Sequence, residues 1–425
     1  MPGFLTTIYI YYCSSRDSIY FYWRNKTFKS TLIEVSLPNQ DKTKRMKKAT
    51  LKLTALVMLM AGAINNAVAQ TAEPINVVTT AVPFLRISPD ARSGGMGEVG
   101  IATSADAYSG FWNLGKIPFA KSNTNIGVTY TPWLSDLGLN DVYLASLSGY
   151  HKLDENQALS AGLRYFSLGN IQFTDNNGNQ LQSFRPREFG IDLGYSRKLS
   201  DKSGIGLGLR YISSDLAGGS VGGVTYKKGT AVAADLHYYN NGLKEDGSGL
   251  NWGVTLSNLG SKISYTEDAN QKDFIPANLG LGAAYTKVFD ADSKVTFALD
   301  LNKLLVPTPP SLNDSAGLAD YRSKGVVSSW FSSFGDAAGG GSEELKEVTA
   351  SIGAEYWYKE QFALRAGYFY ESPEKGNRKY FTVGAGLMYN MFGLNFSYLL
   401  PNGAGVNRNP LSNTLRFSLA FNLDK

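Results

Sequence analysis

The feature that most constrains this chain is a period of two running from about residue 120 to the C-terminus. The last segment shows it plainly: Leu411, Leu415, Phe417, Leu419, Phe421 and Leu423 alternate with Ser412, Thr414, Arg416, Ser418, Ala420 and Asn422. Such alternation sends successive side chains to opposite faces of a strand. In 202–212, Ile205, Leu207, Leu209 and Tyr211 alternate with Gly204, Gly206, Gly208 and Arg210. In 186–199, Phe189, Ile191, Leu193 and Tyr195 oppose Glu188, Asp192 and Ser196, and in 293–302, Val295, Phe297, Leu299 and Leu301 oppose Lys294, Thr296, Asp300 and Asn302. About fourteen segments of this kind centre near 127, 146, 163, 192, 207, 235, 254, 282, 298, 351, 365, 384, 395 and 417. Each is about 9–14 residues, enough for a tilted strand to cross a bilayer.

The connections alternate in length. Short polar turns fall at 152–156, 200–203, 290–293, 359–361 and 389–391, with a slightly longer one at 240–248. Longer links lie near 170–184, 213–228, 259–273, 304–343 and 400–410. Short on one side and long on the other is the pattern of an outer-membrane barrel, with turns in the periplasm and loops outside. An even strand number would return both termini to the periplasm. A soluble β-sandwich also alternates, but it has no need of Tyr and Phe sharing a face with Leu and Val and clustering at strand ends. Here Tyr130, Trp133, Tyr143, Tyr238, Tyr239, Tyr356, Trp357, Tyr358, Tyr368 and Tyr370 do so, as aromatic girdles at two interfaces would require. The fold class expected is all-β: a fourteen-stranded antiparallel transmembrane β-barrel, a closed form that satisfies every backbone group in lipid.

Residues 46–69, MKKATLKLTALVMLMAGAINNAVA, have a basic start, a 12-residue apolar run from Leu53 to Ile64, and the small-x-small pattern of Ala67-Val68-Ala69. This reads as a secretory signal peptide cleaved after Ala69; the apolar run is too short for a membrane-spanning helix. Residues 1–45 show no helical or strand-like repeat, and translation is expected to begin at Met46, the first 45 residues being a start-site artefact. N-terminal sequencing of the precursor tests this. Residues 1–69 hold 10 of the 41 Lys and Arg and 3 of the 36 Asp and Glu. Residues 70–425 therefore carry 31 basic and 33 acidic side chains, a net charge of −2, which leaves no basic excess to attract nucleic acid. The single cysteine, Cys13, lies in the same leader, so no disulfide or cysteine-ligated metal is expected. Two histidines, His151 and His237, do not suggest a metal centre, and no cofactor is expected.

Residues 70–120 differ from the rest. Turns and small residues dominate, with a short helical stretch expected near 97–108, and a segment of this kind before the first strand folds into the lumen as a plug. Within it lie Phe84-Leu85-Arg86-Ile87-Ser88-Pro89-Asp90-Ala91-Arg92-Ser93-Gly94-Gly95-Met96-Gly97, then Ala102-Thr103-Ser104-Ala105-Asp106-Ala107-Tyr108 and Trp112-Asn113. This stretch resembles the opening of the PorV (LptO) family, outer-membrane proteins of the type IX secretion system within the FadL-like barrel superfamily. The resemblance covers essentially all of 70–425. It implies a fourteen-stranded barrel (121–425) with an N-terminal segment inside it, and a family motif at Arg86, Pro89, Asp90, Arg92, Gly94, Gly95, Met96, Gly97, Trp112 and Asn113. It implies a non-enzymatic adaptor or shuttle that receives cargo bearing a C-terminal signal domain from the translocon barrel. The cargo then passes to a surface sortase complex. The implied partners are that translocon, the cargo signal domains, the sortase complex and outer-membrane lipid. In one departure, the family's Asn-Pro-Ala after the Trp is here Asn113-Leu114-Gly115.

Three other chemistries fit the residues less well. Gly95-x-Gly97-x-x-Gly100 matches the dinucleotide fingerprint in form, but lacks the βαβ setting that makes the motif bind, so tight turns inside a lumen are the better reading. Asp235 and His237 share the lumen face of one strand, but no Gly-x-Ser-x-Gly elbow completes a hydrolase, and a lumen hydrogen-bonding pair is expected. Arg164, Arg210, Arg365 and Arg416 share the polar phase with Glu188, Asp192, Asp235, Asp300 and Glu355. Mixed charge of this kind either lines a channel or pairs to close it; closure is favoured, because no large net field lines the lumen. The longest link, near 304–343, carries Trp330, Phe331 and Phe334 as candidate partner-binding residues, either tucked against the rim or inserted into a partner. The alternative function is a FadL-like transporter of hydrophobic small molecules.

Overall fold

The computed structural model describes residues 7–13, 18–25, 28–36, 76–174, 177–221, 224–268, 272–310, 314–400, 411 and 413–424. The expected signal peptide and its cleavage site lie outside the described residues. Two compact units divide the chain at residues 72 and 73. The first contains an antiparallel sheet of Thr7–Cys13, Ser18–Asn25 and Phe28–Ser36. These strands form although residues 1–45 show no strand-like repeat. The runs TIYIYYC and SIYFYWRN are strand formers by β-branched and aromatic content although neither alternates.

The second unit is a closed barrel of fourteen antiparallel strands. In chain order they are β1 (Thr124–Pro132), β2 (Val142–Lys152), β3 (Gln157–Leu168), β4 (Arg187–Lys198), β5 (Ser203–Asp215), β6 (Gly229–Asn240) and β7 (Gly249–Gly260). The second half comprises β8 (Asn278–Val288), β9 (Ser293–Leu304), β10 (Thr349–Tyr358), β11 (Phe362–Tyr370), β12 (Lys379–Tyr389), β13 (Phe392–Leu400) and β14 (Leu415–Asn422). Each strand pairs with its chain neighbours, and β14 closes on β1 through Phe417↔Tyr130 and Asn422↔Asn125. All fourteen expected centres fall within these strands.

Period two decides which residues see lipid. Leu209 is 65% exposed on the outer wall while its neighbour Arg210 is 3% exposed in the lumen. Leu193, Val232, Phe297, Ile352, Leu364 and Phe381 join Leu209 on the exposed apolar face, far more apolar area than a soluble monomer displays. No described helix is long and apolar enough to cross a membrane. The aromatic reading needs one adjustment. Tyr130, Tyr356, Tyr358 and Tyr370 are exposed outside, whereas Tyr239 is buried against Phe119 and Trp357 lies under the Arg365 guanidinium. Adjacent strand positions cannot share a face, so Tyr238/Tyr239 and Trp357/Tyr358 split between lipid and lumen.

Six short turns and the end of β14 lie at one end of the barrel. There the Asp424 carboxylate accepts the N–H groups of Asn123 and Thr124. Seven longer links lie at the other end. Two carry their own hairpins, Ile171–Thr174 with Gln180–Phe184 and Gly219–Val221 with Val224–Tyr226. Helices α1 (Ala91–Gly94) and α2 (Ser109–Trp112) precede the first barrel strand, and the longest link, 305–348, holds α3 (Ser315–Ser323), α4 (Val326–Ser332) and α5 (Gly341–Lys346).

Candidate functional site

Residues 76–123 occupy the lumen, and the family motif is where they meet the wall. The helical stretch expected at 97–108 is absent. Helical turns flank it instead at Pro83–Arg86, Ala91–Gly94, Ser109–Trp112 and Leu114–Phe119. Asp90 explains the second of these: its Oδ1 accepts the Ser93 N–H at 2.7 Å, a side-chain N-cap, while Oδ2 accepts from Trp112 Nε1 at 2.8 Å. One buried carboxylate thus ties the two halves of the motif together. Span 97–108 is bound to the wall: Asp300 of β9 accepts the N–H groups of Gly100 and Ile101 at 2.7 and 2.9 Å.

Arg92 is the ionic centre. Its guanidinium makes two bonds to Glu355 of β10, at 2.9 and 2.7 Å, and one to Asp106 at 2.9 Å. Glu355 also accepts from Arg365 Nε at 2.7 Å, so one carboxylate bridges two cations. Charges elsewhere in the lumen pair too. Arg210 binds Asp192, Asp235 (2.9 Å) and Asn258; Arg164 meets Asp192 at 3.5 Å; Arg416 meets Glu98 at 2.7 Å; Glu188 accepts from Ser214 at 2.6 Å. A bulge at Ser257–Asn258 of β7, opposite Asp235 of β6, brings the Asn258 N–H onto Asp235 at 2.6 Å. Most of the expected lumen charges are therefore paired, with Glu98, Arg92 and Asp106 of the lumen segment as partners that the strand phase alone did not reveal, while Glu188 and Asp300 accept from a hydroxyl and from backbone N–H groups.

The motif glycines are points of closest approach. Gly97 has φ +70°, and a Cβ there would lie 2.6 Å from the Tyr368 backbone; its N–H donates to Thr382 Oγ1 at 2.8 Å. Opposite it, a Cβ on Gly367 of β11 would sit 2.1 Å from Gly97 N. Gly94 packs on Arg416 and Gly95 on Gly384, with Met96 wholly buried between them. Pro89 O accepts from Ser146 Oγ at 2.7 Å, and Arg86 reaches Glu371 at 3.9 Å. Asn113 fixes the turn before Leu114–Phe119: its Oδ1 accepts the Gly115 N–H at 2.9 Å and its Nδ2 donates to Tyr238 O at 2.9 Å.

The departure at Asn113-Leu114-Gly115 has a local explanation. Leu114 N–H donates to Nδ1 of His237 at 2.8 Å. A proline there would have no N–H to give. Gly115 faces Gly204 of β5 so closely that a Cβ would lie 2.8 Å from its carbonyl oxygen. His237 thus serves the lumen segment; it makes no pair with Asp235, which is committed to Arg210 and Asn258. His151 bonds Thr124 Oγ1 at 2.8 Å beside a short turn. The glycine-rich stretch 95–100 has no βαβ unit around it, and no group of metal-ligating side chains occurs among the described residues.

At the long-link end, Lys303 of β9 donates to Glu344 and Glu347 at 2.8 and 2.7 Å, and Lys375 to Glu343 and Glu347 at 2.5 and 3.0 Å. The bond from Lys375, with the Gly339 N–H, holds the Glu343 carboxyl below the usual carboxylate range. Burial pushes Glu344 upward, but bonds from Lys303 and the Ala337 N–H outweigh it and leave it lowered. Lys375 is raised, burial being outweighed by its bonds to Glu343 and Glu347. This knot ties α5 to the rim. Helix α4 and the turn after it, one step earlier, are not tucked: Phe331 is 75% and Phe334 52% exposed, with Trp330 half-buried. Phe331 is the most outward of the three.

A closed fourteen-stranded wall with an apolar outer face, a plugged and ion-paired lumen, and long links at one end define an outer-membrane β-barrel of the plugged class. Residues 69–311, more than half of the chain, match the family model described as type IX secretion system protein PorV. The chain belongs to that family, and it is an outer-membrane component of type IX secretion. Among solved structures, the toluene transporter TbuX of Ralstonia pickettii is similar at 12% identity and a TM-score of 0.47, covering 79% of this chain and 97% of that one. The toluene transporter TodX of Pseudomonas putida gives 14%, 0.45, 82% and 98%, and a FadL homologue of Pseudomonas aeruginosa 10%, 0.41, 82% and 99%. No curated relative matches the sequence.

Proposed function

We propose that this barrel is a non-catalytic adaptor of type IX secretion, with its short turns in the periplasm and its long links outside. It receives cargo carrying a C-terminal signal domain from the translocon barrel and delivers it to the surface sortase complex. The observation that carries this reading is the contrast between a filled lumen and an apolar loop helix facing out. The lumen segment leaves a cavity of about 110 Å³ in the half nearer the long links. Arg86, Glu98, Arg210 and Arg378 share its lining with Leu85, Ile101, Phe111, Trp112 and Phe369, a mixed lining in which a hydrophobic solute would have to desolvate charged groups. Helix α4 and the turn after it, in contrast, expose Val327, Phe331 and Phe334, aromatic and aliphatic anchors of the kind that fill a partner's pocket. Deleting the gene tests the role: cargo bearing the signal domain should fail to appear attached at the surface. Normal surface attachment together with lost uptake of a hydrophobic solute would refute the reading.

A further inference from the structure

The lumen segment runs from the long-link end of the barrel to the short-turn end. Asn76 N–H donates to Glu374 O at 3.1 Å, in the link between β11 and β12. Ala81 N–H donates to Phe274 O at 2.9 Å, in the link between β7 and β8. Val78 is buried among Phe274, Leu304 and Val306, with Tyr321 of α3 packed against the same group. These contacts all belong to the long-link end. Next, Val82, Phe84 and Leu85 pack against Val142, Leu144, Phe166 and Ile212, which lie in the long-link halves of β2, β3 and β5. Met96 reaches mid-wall at Gly353 and Gly367. Leu114, Ile117 and Ala120 meet Tyr150 and Ala158 at the short-turn end, where β1 begins. The segment therefore descends the full height of the barrel. Asp424 lies at the short-turn end and Asn76 at the other, so the expectation that both ends share one side does not hold for the described chain.

The outer end of this segment is gripped by the same loops that carry the ionic knot. Glu374, whose carbonyl holds Asn76, receives Lys346 of α5 on its carboxylate at 2.5 Å, and the adjacent Lys375 joins Glu343 and Glu347. Residues 76–81 touch loops and the tip of one strand, whereas Arg92 and Asp90 further on are anchored in the lumen by buried charge. The grip is thus made by elements that exposure leaves free to move.

We propose that residues 76–87 form a strap that enters the barrel from the outer face. Asn76 then lies at the outer face, and the knotted loops hold the strap in place. The outer-face part rests on the orientation given under the proposed function. Cys13 is the only cysteine, so site-directed labelling is clean in a Cys13→Ser background. Thr79→Cys, an exposed strap position, is treated in intact cells with a membrane-impermeant maleimide, beside Gly340→Cys in the long loop and Asp201→Cys in a short turn. Thr79→Cys should label with Gly340→Cys, and Asp201→Cys only after permeabilisation. Labelling of Thr79→Cys only together with Asp201→Cys overturns the strap. If Gly340→Cys is the protected control and Asp201→Cys the labelled one, the orientation fails and the outer-face assignment falls with it. The grip is read from Val78→Cys, which is buried: adding Lys375→Gln should raise its labelling rate at least about threefold while the barrel keeps its heat-modifiable migration. An unchanged rate in that folded variant overturns the grip.

Discussion

The lumen segment and the long loop at 305–348 both depart from strand, and they dispose of their large side chains in opposite ways. The lumen segment buries Phe84, Met96, Leu114 and Ile117, and answers its charged groups with wall residues: Arg92 with Glu355, Glu98 with Arg416. The loop fastens one end by Lys303 and Lys375 and leaves Val327, Phe331 and Phe334 in the open. The first region behaves as core, where volume and charge are fixed by neighbours on every side. The second behaves as a surface held ready, where side chains can change without cost to the wall.

The hardest blow to the first region is steric. Gly367→Val places branched carbons where Gly97 N already lies 2.1 Å from an ideal Cβ, and neither backbone can retreat. The barrel should fail to assemble, seen as loss of heat-modifiable migration and of outer-membrane recovery. Full assembly would mean that the segment does not press on the wall. Next in size is the charge bridge. Glu355→Gln leaves Arg92 and Arg365 buried around a neutral amide, an expected loss of about 3–5 kcal/mol in denaturant unfolding. Its control is Glu360→Gln in a short turn. There bonds from Lys121 and Lys294 hold the carboxyl down to about 2, but the group is largely in water, so under about 1 kcal/mol should be lost. Equal losses in the two variants would erase the distinction between lumen and surface.

The wall was legible because lipid and lumen impose a strict two-residue period, and every expected strand centre lies in a strand. Glycines at 204, 206 and 208 pointed to a crowded lumen, and Leu114 and Gly115 fill that space. What did not show was pairing over long distance. Nothing local in Arg92 names Glu355, and nothing in His237 names the Leu114 N–H; both depend on how a non-periodic segment threads the barrel. The displaced helical turns have the same cause. The 97–108 stretch has helix-tolerant residues, but Asp300 takes the N–H groups of Gly100 and Ile101 and Gly97 sits at positive φ, so tertiary contacts override propensity. Asparagine 413, also at positive φ, likewise delays the last strand to Leu415, four residues after its alternation begins.

The ionic knot is intermediate, and pH separates it from both neighbours. Glu343 and Glu344 are lowered in the folded chain, so their contribution is complete above the unfolded value of about 4.3 and is lost as pH falls through their folded values. Lys375 is raised, so its share is complete below about 10.4 and is lost as pH climbs through its folded value. Protease cleavage within 305–348 should therefore be slow across the middle of the range and accelerate toward both extremes, with the wall intact throughout. A cleavage rate flat down to pH 3 would show that the knot does not hold the loop.

The smallest expected effect on stability is also the most informative about function. Phe331 at 75% exposure has little folded-state contact to lose, so Phe331→Ser should leave unfolding within about 0.5 kcal/mol of the parent. If α4 is the surface that engages the translocon, the same substitution should lower co-purification with it severalfold, because a buried aromatic anchor carries a disproportionate share of interface energy. Trp330→Ser should cost more stability and tell less, since its ring is already half covered by the chain itself. Phe334→Ser lies between, its ring being 5.9 Å from the Lys303 ammonium and therefore close to the knot. Co-purification that follows the loss of stability across these three variants, instead of the exposure of the side chain removed, would place the loop's role in holding the rim closed and not in meeting a partner.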